Sequence, residues 1–230
     1  MIDVVMPCYN EALALRRMLA TIPAGLNIIV ADNGSTDGSP EIAHSHGVTV
    51  IFEGRRGVGF ATNAGLRAAT SEIVCVMDCD GTVALEDVIP LASQIASGKA
   101  DIVIGTRVFE RGSASLVRRT LIRLKGLLVG SLVNNGVRDL GSARAFRREI
   151  VVSSPNRLGN GTNWSTDLVI LASEAGYRIG VWPTPFRPRL GQSKVTGTLS
   201  GALLTIYETL YSVGRFLLRR IGYSLAKRVK

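Results

Sequence analysis

The sequence contains few of the side chains on which several large classes of protein depend. It has three cysteines and two histidines in 230 residues, and it has no Cys-x-x-Cys pair. These low numbers of cysteine and histidine argue against a disulfide framework, a zinc centre or a Ser/His/Asp triad. An odd number of cysteines in a chain of this length fits a reducing compartment, so we expect a cytoplasmic protein.

Long apolar runs are also missing from the second half of the chain. The uncharged stretches Gly126–Val137 and Val195–Tyr207 are shorter than the roughly 20 apolar residues that cross a bilayer. The amino terminus begins Met-Ile-Asp and has no basic segment before an apolar one. We therefore expect neither an integral membrane helix nor a signal peptide.

Acidic residues are almost absent from the last quarter of the chain. Residues 1–176 carry 17 basic and 17 acidic residues, whereas 177–230 carry 10 basic residues and only Glu208, so the net charge of +9 arises there. Beyond Glu208, Arg and Lys alternate with Leu, Tyr and Phe, which indicates a basic amphipathic helix. Two interpretations remain open: peripheral contact with the inner face of an anionic membrane, or packing of one stripe on the core. Aromatic residues are too sparse among these basic residues to indicate a nucleic-acid partner.

The first hundred residues alternate short Val/Ile-rich runs with helix-like segments, which predicts an α/β fold with a mostly parallel sheet flanked by helices. We expect one such domain over residues 1–198 and a helical appendage over 199–230. A later strand, Ile179–Trp182, is expected to stop before Pro183 and Pro185. Ligands of such sheets bind beyond the carboxyl ends of the strands, where polar clusters lie in this sequence.

The sharpest of these clusters is Asp78-Cys79-Asp80, directly after the apolar run Ile73–Met77. On an extended backbone, residues two apart point to the same side, so both carboxylates face one space. Two hard oxygen ligands suit a divalent Mg or Mn ion that keeps positions open for phosphate oxygens. We therefore predict a metal site here.

Two further clusters follow the first two strands. Asp32 begins a segment rich in Asn, Gly and Ser, which turn chemistry explains in large part, although Asp32 is also placed to bind a base or ribose. Tyr9 and Glu11 follow the first strand, where the ring is placed to stack on a base and the carboxylate to accept from it.

The motifs Met6–Glu11, Val30–Asp37 and Asp78–Asp80, in this order and spacing, resemble those of family 2 glycosyltransferases with the GT-A fold. Residues 138–148 and 191–194 resemble later motifs of the dolichol-phosphate mannose synthase-like branch. The likeness covers roughly residues 2–200. It implies an inverting transferase that moves a hexose from a nucleotide sugar, with UDP-glucose and GDP-mannose as alternative donors.

The resemblance also implies roles for individual residues. The nucleotide-sugar pocket is expected to contain Pro7, Tyr9, Glu11, Asp32, Asp78, Arg107, Arg189 and Lys194. Asp80, helped by Asp78, is expected to hold Mg or Mn on the diphosphate. Acceptor or phosphate contacts are expected from Ser142, Arg144 and Arg187, with Arg187 and Arg189 as alternatives for one phosphate contact. Thr82 stands where some synthases supply another metal ligand.

The acceptor decides whether a general base is needed. A hydroxyl acceptor must lose its proton, and Asp167, at the start of an apolar helix, is the candidate base or else an acid favoured there by the helix dipole. A phosphate acceptor is already ionised near neutral pH. The basic residues favour polyprenyl phosphate. A small soluble hydroxyl or thiol acceptor, and a catalytically silent nucleotide-sugar binding protein, are the alternatives.

Overall fold

The structure is a computed structural model that describes residues 1–133, 137–154, 156–191 and 199–228. The strands are β1 (Ile2–Cys8), β2 (Leu26–Asp32), β3 (Thr49–Phe52), β4 (Ile73–Met77), β5 (Ile102–Phe109), β6 (Ala143–Arg147) and β7 (Ile179–Phe186). The helices are α1 (Ala12–Leu19), α2 (Ser39–Ser45), α3 (Val58–Ala68), α4 (Val88–Ala96), α5 (Leu116–Val133), α6 (Glu149–Val152), α7 (Trp164–Glu174) and α8 (Leu199–Arg228), with a 3-10 turn at Leu85–Asp87.

All seven strands form one sheet in the order β3-β2-β1-β4-β6-β5-β7. Helices cover both faces, so the interior strand β1 is buried on each side. Its side chains alternate between the two faces: Val4 and Met6 pack with α1, α2 and α4, whereas Val5 packs with α3, α6 and α7. The expectation of a mostly parallel sheet flanked by helices is confirmed.

The second half of the sheet departs from simple alternation. β6 is antiparallel to both β4 and β5, whereas β7 is parallel to β5. β7 does not stop at Trp182 as expected but continues through Pro183 and Pro185 to Phe186. This is possible because β7 is an edge strand, where a proline that lacks its N–H interrupts no ladder on the outer side.

Helix α5 packs unusually close to the chain that enters β6. At Gly126, a Cβ atom would overlap the carbonyl of Arg138, and at Gly130 it would overlap the carbonyl of Val137. Only glycine allows so close a contact, because any larger side chain would push the helix away from this backbone. The two glycines therefore fix both the distance and the rotation of α5.

Helix α8 packs on α7, and its buried Phe216 joins the apolar cluster that contains residues of α5 and α7. Polar contacts also tie it down, since the Glu208 carboxylate accepts from Thr162 and the Ser212 hydroxyl accepts from Asn163. In the described ranges, none of the helices combines the length and hydropathy needed to span a bilayer.

Candidate active site

Three neighbouring parallel strands bring the polar residues highlighted by the sequence to one edge of the sheet. β1 lies between β2 and β4 and is parallel to both. The residues that follow these strands therefore meet at the carboxyl edge. They are Tyr9 and Glu11 after β1, Asp32 at the end of β2, and Asp78 and Asp80 after β4.

The two acids after β4 lie in different surroundings. The side chain of Asp80 is 8% exposed, and its Oδ1 accepts from the Thr82 hydroxyl at 2.6 Å and the Thr82 N–H at 3.0 Å. Burial raises the pKa of Asp78 to about 6, and the nearby charge of Asp80 adds to this, against the opposing charges of Arg144 and Arg107. The pair thus holds negative charge that a cation would stabilise.

Arg189 reaches this acid pair from the segment after β7. Its Nη1 donates to Asp80 Oδ2 at 2.8 Å, and its Nη2 pairs with Glu11. Arg187 instead pairs with Asp87 at the 3-10 turn. The structure thus brings Arg189, and not Arg187, to the acids. Lys194 lies outside the described residues.

The residues expected around the base and ribose are held by turn hydrogen bonds. Asp32, only 3% exposed, accepts from the N–H groups of Gly34 at 3.0 Å and Ser35 at 3.2 Å, as turn chemistry predicts. The Tyr9 ring is partly exposed, and the Arg56 guanidinium lies 4.1 Å from its centroid. Pro7 lies within β1, one residue before its end.

A second group of cations lies beside the acids, on β5 and β6. Arg107 lies inside β5 and forms an ion pair with Asp139. Arg144 is 7% exposed and donates to the Gly141 carbonyl at 2.7 Å. Arg107 Nε, Arg144 Nε and the hydroxyl of Ser142, the residue before β6, are buried donors without a partner among the described residues.

Helix α5 adds two cations that the sequence analysis did not single out. Arg118 lies near enough to Arg107, Asp80 and Asp78 to be affected by their charges, and Lys125 lies near Arg144 and Arg107; burial lowers the pKa of both side chains. The pKa of Lys125 falls to about 8, with Arg144 and Arg107 as further causes. The seven-residue spacing, which is two helical turns, is the sequence signal that places both on one face.

Asp167, the candidate base, lies in the first turn of α7 and is 6% exposed. Its Oδ2 accepts from the Gly159 N–H at 2.8 Å and from the Asn163 amide at 3.2 Å. Burial raises its pKa, and a hydrogen bond from Ser212 of α8 opposes the rise. The carboxylate therefore ties the loop before α7 to α8.

The donor set suits a divalent ion held jointly by protein and substrate. Asp78 and Asp80 supply hard carboxylate oxygens, and the described residues contain no group of three His, Cys, Asp or Glu side chains able to bind a metal. Mg²⁺ commonly binds through one or two carboxylates plus substrate phosphates. Two acids beside a group of arginine side chains fit that arrangement.

A mixed sheet of this order, with an acid pair at the carboxyl edge, defines a GT-A glycosyltransferase. The chain belongs to glycosyl transferase family 2, whose family model matches residues 3–153. It is 34% identical over 212 residues to an uncharacterized glycosyltransferase of Mycobacterium tuberculosis (strain ATCC 25618 / H37Rv), covering 90% of this chain and 95% of that one. It is 31% identical over 210 residues to a dolichyl-phosphate hexose transferase of Haloferax volcanii, covering 87% and 89%.

Solved structures confirm the fold. Glucosyl-3-phosphoglycerate synthase from Mycobacterium tuberculosis, in complex with Mn²⁺, UDP and glucosyl-3-phosphoglycerate, superposes with a TM-score of 0.74 at 22% identity. The match covers 93% of this chain and 80% of that one. The same enzyme has also been solved with Mg²⁺ and UDP, with a TM-score of 0.73. The expectations of a GT-A fold and of a family 2 glycosyltransferase are thereby confirmed.

Proposed function

We propose that this protein transfers a hexose from a nucleotide sugar to a polyprenyl phosphate, with a divalent Mg or Mn ion at Asp80 and Asp78. One observation carries the proposal. The acid pair stands beside two arginines and a serine whose buried donors Arg107 Nε, Arg144 Nε and Ser142 Oγ have no partner among the described residues. Buried donors of this kind need an acceptor, and phosphate oxygens supply several.

The donor half of the site is assigned to the acids and to Arg189. When bound, the divalent ion would neutralise the charge that develops on the departing diphosphate. Arg189 already spans Glu11 and Asp80, so its guanidinium is placed to meet a phosphate oxygen once the nucleotide arrives. Glu11, Tyr9, Asp32 and Pro7 are assigned to the base and ribose, and Lys194 to the diphosphate.

The acceptor half is assigned to Ser142 and Arg144, with Arg107, Arg118 and Lys125 around them. These cations would hold the acceptor phosphate so that one oxygen attacks the anomeric carbon as the diphosphate leaves from the opposite face. The configuration at that carbon is inverted. The new carbon–oxygen bond replaces the bond to the nucleoside diphosphate, which leaves with its electron pair.

No proton needs to be removed when a phosphate is the nucleophile, because its second pKa is about 6. The contacts of Asp167 agree with this, since one of its oxygens accepts from both Gly159 and Asn163. We assign it to positioning the loop before α7. The similarity to a dolichyl-phosphate hexose transferase over nearly the full length of both chains also supports a lipid-phosphate acceptor.

A small phosphorylated acceptor is the second candidate. It is favoured by the similarity to glucosyl-3-phosphoglycerate synthase solved with Mn²⁺, UDP and phosphoglyceric acid. The same cations would bind either kind of phosphate, so the two candidates share one anion site. They differ in the nucleophile, which is a phosphate oxygen in the first and, in the second, a hydroxyl whose proton must be removed.

A transfer assay distinguishes the acceptors. The protein is incubated with GDP-mannose or UDP-glucose labelled in the sugar, with Mn²⁺, and with either a polyprenyl phosphate in detergent or 3-phosphoglycerate. We expect the label to enter the organic phase with the lipid acceptor. Label that stays in the aqueous phase as a phosphoglycerate glycoside would favour the second candidate, and no transfer with any donor would contradict both.

The variant Asp167→Asn tests the role of that residue. If the acceptor is a phosphate, turnover should stay within about fivefold of the wild type, whereas removal of a general base costs about 10²- to 10⁴-fold. The thermal midpoint is measured in parallel, because Asp167 also orders the loop. Loss of turnover at an unchanged midpoint would show that the acceptor is deprotonated by Asp167.

A further inference from the structure

Helix α5 presents its apolar side to solvent. Its buried residues are small or medium in size, namely Gly126, Val129, Gly130 and Val133. Its large apolar residues point the other way and are 38% to 80% exposed: Leu116, Val117, Leu121, Leu124, Leu127 and Leu128. An amphipathic helix on a water-soluble surface shows the opposite arrangement. We call these six residues the leucine face.

The leucine face cannot turn inward. Gly126 and Gly130 lie against the backbone of Val137 and Arg138, where a Cβ atom would overlap the carbonyl oxygens. Rotation of the helix would bring a larger side chain into this contact. The same rotation would withdraw Arg118 from the acid pair. The leucines are therefore held outward by the same packing that orients the α5 cations.

Helix α8, which packs on α7, also presents an apolar side to solvent. Its inward side carries Glu208, Thr209 and Ser212, and Glu208 accepts from Thr162. Its outward side between residues 203 and 211 is apolar, with six exposed side chains: Leu203, Leu204, Ile206, Tyr207, Leu210 and Tyr211.

The exposed apolar surface is concentrated on these two helices. They carry 14 of the 24 large hydrophobic side chains that are exposed among the described residues. Both helices contribute to the apolar cluster that contains residues of α7. An apolar surface of this extent marks a docking site, since scattered single residues are what an ordinary surface shows.

We propose that α5 and α8 together bind the surface of an anionic lipid bilayer, with the leucine face entering the acyl boundary. The charge of the two helices selects this occupant. α5 contains four basic residues and no acidic one, and residues 199–228 contain five basic residues and only Glu208. A second copy of the chain would oppose one positive surface to another, whereas anionic headgroups complement both helices.

Individual side chains fit an interface between water and lipid. Arg123 of α5 and Arg220 of α8 are exposed, and long basic side chains of this kind can lie over apolar surface with their charge in water. Tyr207 and Tyr211 stack with ring centroids 6.5 Å apart, and tyrosine favours the headgroup region. The docking proposal does not depend on the acceptor proposed above.

Vesicle sedimentation tests the proposal with the full chain and no substrate. One set of vesicles contains equal parts of phosphatidylcholine and phosphatidylglycerol, and the other contains phosphatidylcholine alone. We expect strong binding to the anionic set that weakens with added salt. Replacing two residues of the leucine face, Leu121→Gln with Leu124→Gln, removes apolar surface that would enter the membrane. The partition coefficient should fall about tenfold and not further, because only the exposed part of each leucine is available to be buried in lipid.

The matched control replaces two exposed apolar residues elsewhere, Leu13→Gln with Val152→Gln, which are 61% and 53% exposed. This control should bind vesicles as the wild type does. Equal binding by both double variants would overturn the proposal, as would a wild type that ignores anionic vesicles at low salt. A wild type that light scattering shows to be a dimer, and that Leu121→Gln with Leu124→Gln makes monomeric, would also overturn it by assigning the surface to a second copy.

The transfer assay with acceptor in detergent separates this proposal from the proposed function. The leucine-face variant should keep its detergent activity, since neither leucine belongs to the site. Vesicle binding without lipid-phosphate transfer would leave the docking surface in place and contradict the proposed acceptor. Lipid-phosphate transfer without vesicle binding would support the proposed acceptor and contradict the docking surface.

Discussion

The contact between α5 and the chain before β6 can be tested by adding one methyl group. Gly126→Ala places a Cβ atom against the Arg138 carbonyl, closer than any van der Waals contact allows. The contact is with backbone and not with the end of a flexible side chain, so relief requires the helix to move. The cations Arg118 and Lys125 on the same helix would move with it.

The expected size of the effect follows from two opposing contributions. Alanine in place of glycine stabilises a helix by about 1 kcal/mol, whereas overpacking a tight contact costs about 1–3 kcal/mol and sometimes more. The overlap here is severe, so we expect a net loss of about 2 kcal/mol. For a chain of this size, that corresponds to a fall of about 4–8 °C in the melting temperature.

The matched control is Gly214→Ala in α8, where a Cβ atom would meet nothing within 4 Å. This variant should gain most of the helix-propensity term and melt about 2 °C higher than the wild type. Calorimetry of the three proteins measures the difference, and the transfer assay reports whether acceptor binding weakens in Gly126→Ala. If both variants were stabilised alike, the close packing of α5 described above would be wrong.

Two further predictions concern side chains around the acids. Thr82→Val removes the hydroxyl that donates to Asp80 at 2.6 Å, so the metal concentration for half-maximal activity should rise about 10- to 100-fold. The control Thr62→Val loses only a hydrogen bond to a helix carbonyl and should leave that concentration unchanged. An equal effect of the two variants on that concentration would refute the role of Thr82. Burial, Arg144 and Arg107 lower the pKa of Lys125 to about 8, against the charges of Glu208 and Asp167, so its ammonium form is present below that pH and lost above it. The KM for the acceptor should therefore rise between about pH 7 and pH 9 in the wild type but stay flat in Lys125→Arg, since guanidinium keeps its charge; a parallel rise in both would show that another group titrates.

Much of the arrangement on the proposed nucleotide side of the site was predictable because it depends on local order along the chain. Parallel strands separated by helices place their carboxyl ends at one edge whatever the details of packing, and Asp78 and Asp80 directly follow such a strand. The arrangement of Asp32 also followed from local turn chemistry. The sequence could not show that Arg189, and not Arg187, lies beside the acids. That arrangement depends on the ion pair between Arg187 and Asp87, which are far apart in the chain.

The proposed acceptor side depends on contacts that no sequence pattern displays. The antiparallel insertion of β6 between β4 and β5 places Arg144 near Asp78, although 66 residues separate them in the chain. The continuation of β7 through Pro183 and Pro185 depends on its position at the edge of the sheet. The outward leucines of α5 could not be distinguished from a core stripe, because periodicity gives a face but not its direction.

The central claim is that Asp80 and Asp78 bind the nucleotide diphosphate through a divalent ion. Titration calorimetry of UDP and GDP, each with Mn²⁺ or with a chelator, tests it directly in the wild type and in Asp80→Asn. We predict that one nucleotide binds the wild type only with Mn²⁺, and that Asp80→Asn weakens this binding at least tenfold at an unchanged melting temperature. The claim would be contradicted if the wild type bound the nucleotide equally well with Mn²⁺ and with chelator, or if Asp80→Asn bound it as tightly as the wild type.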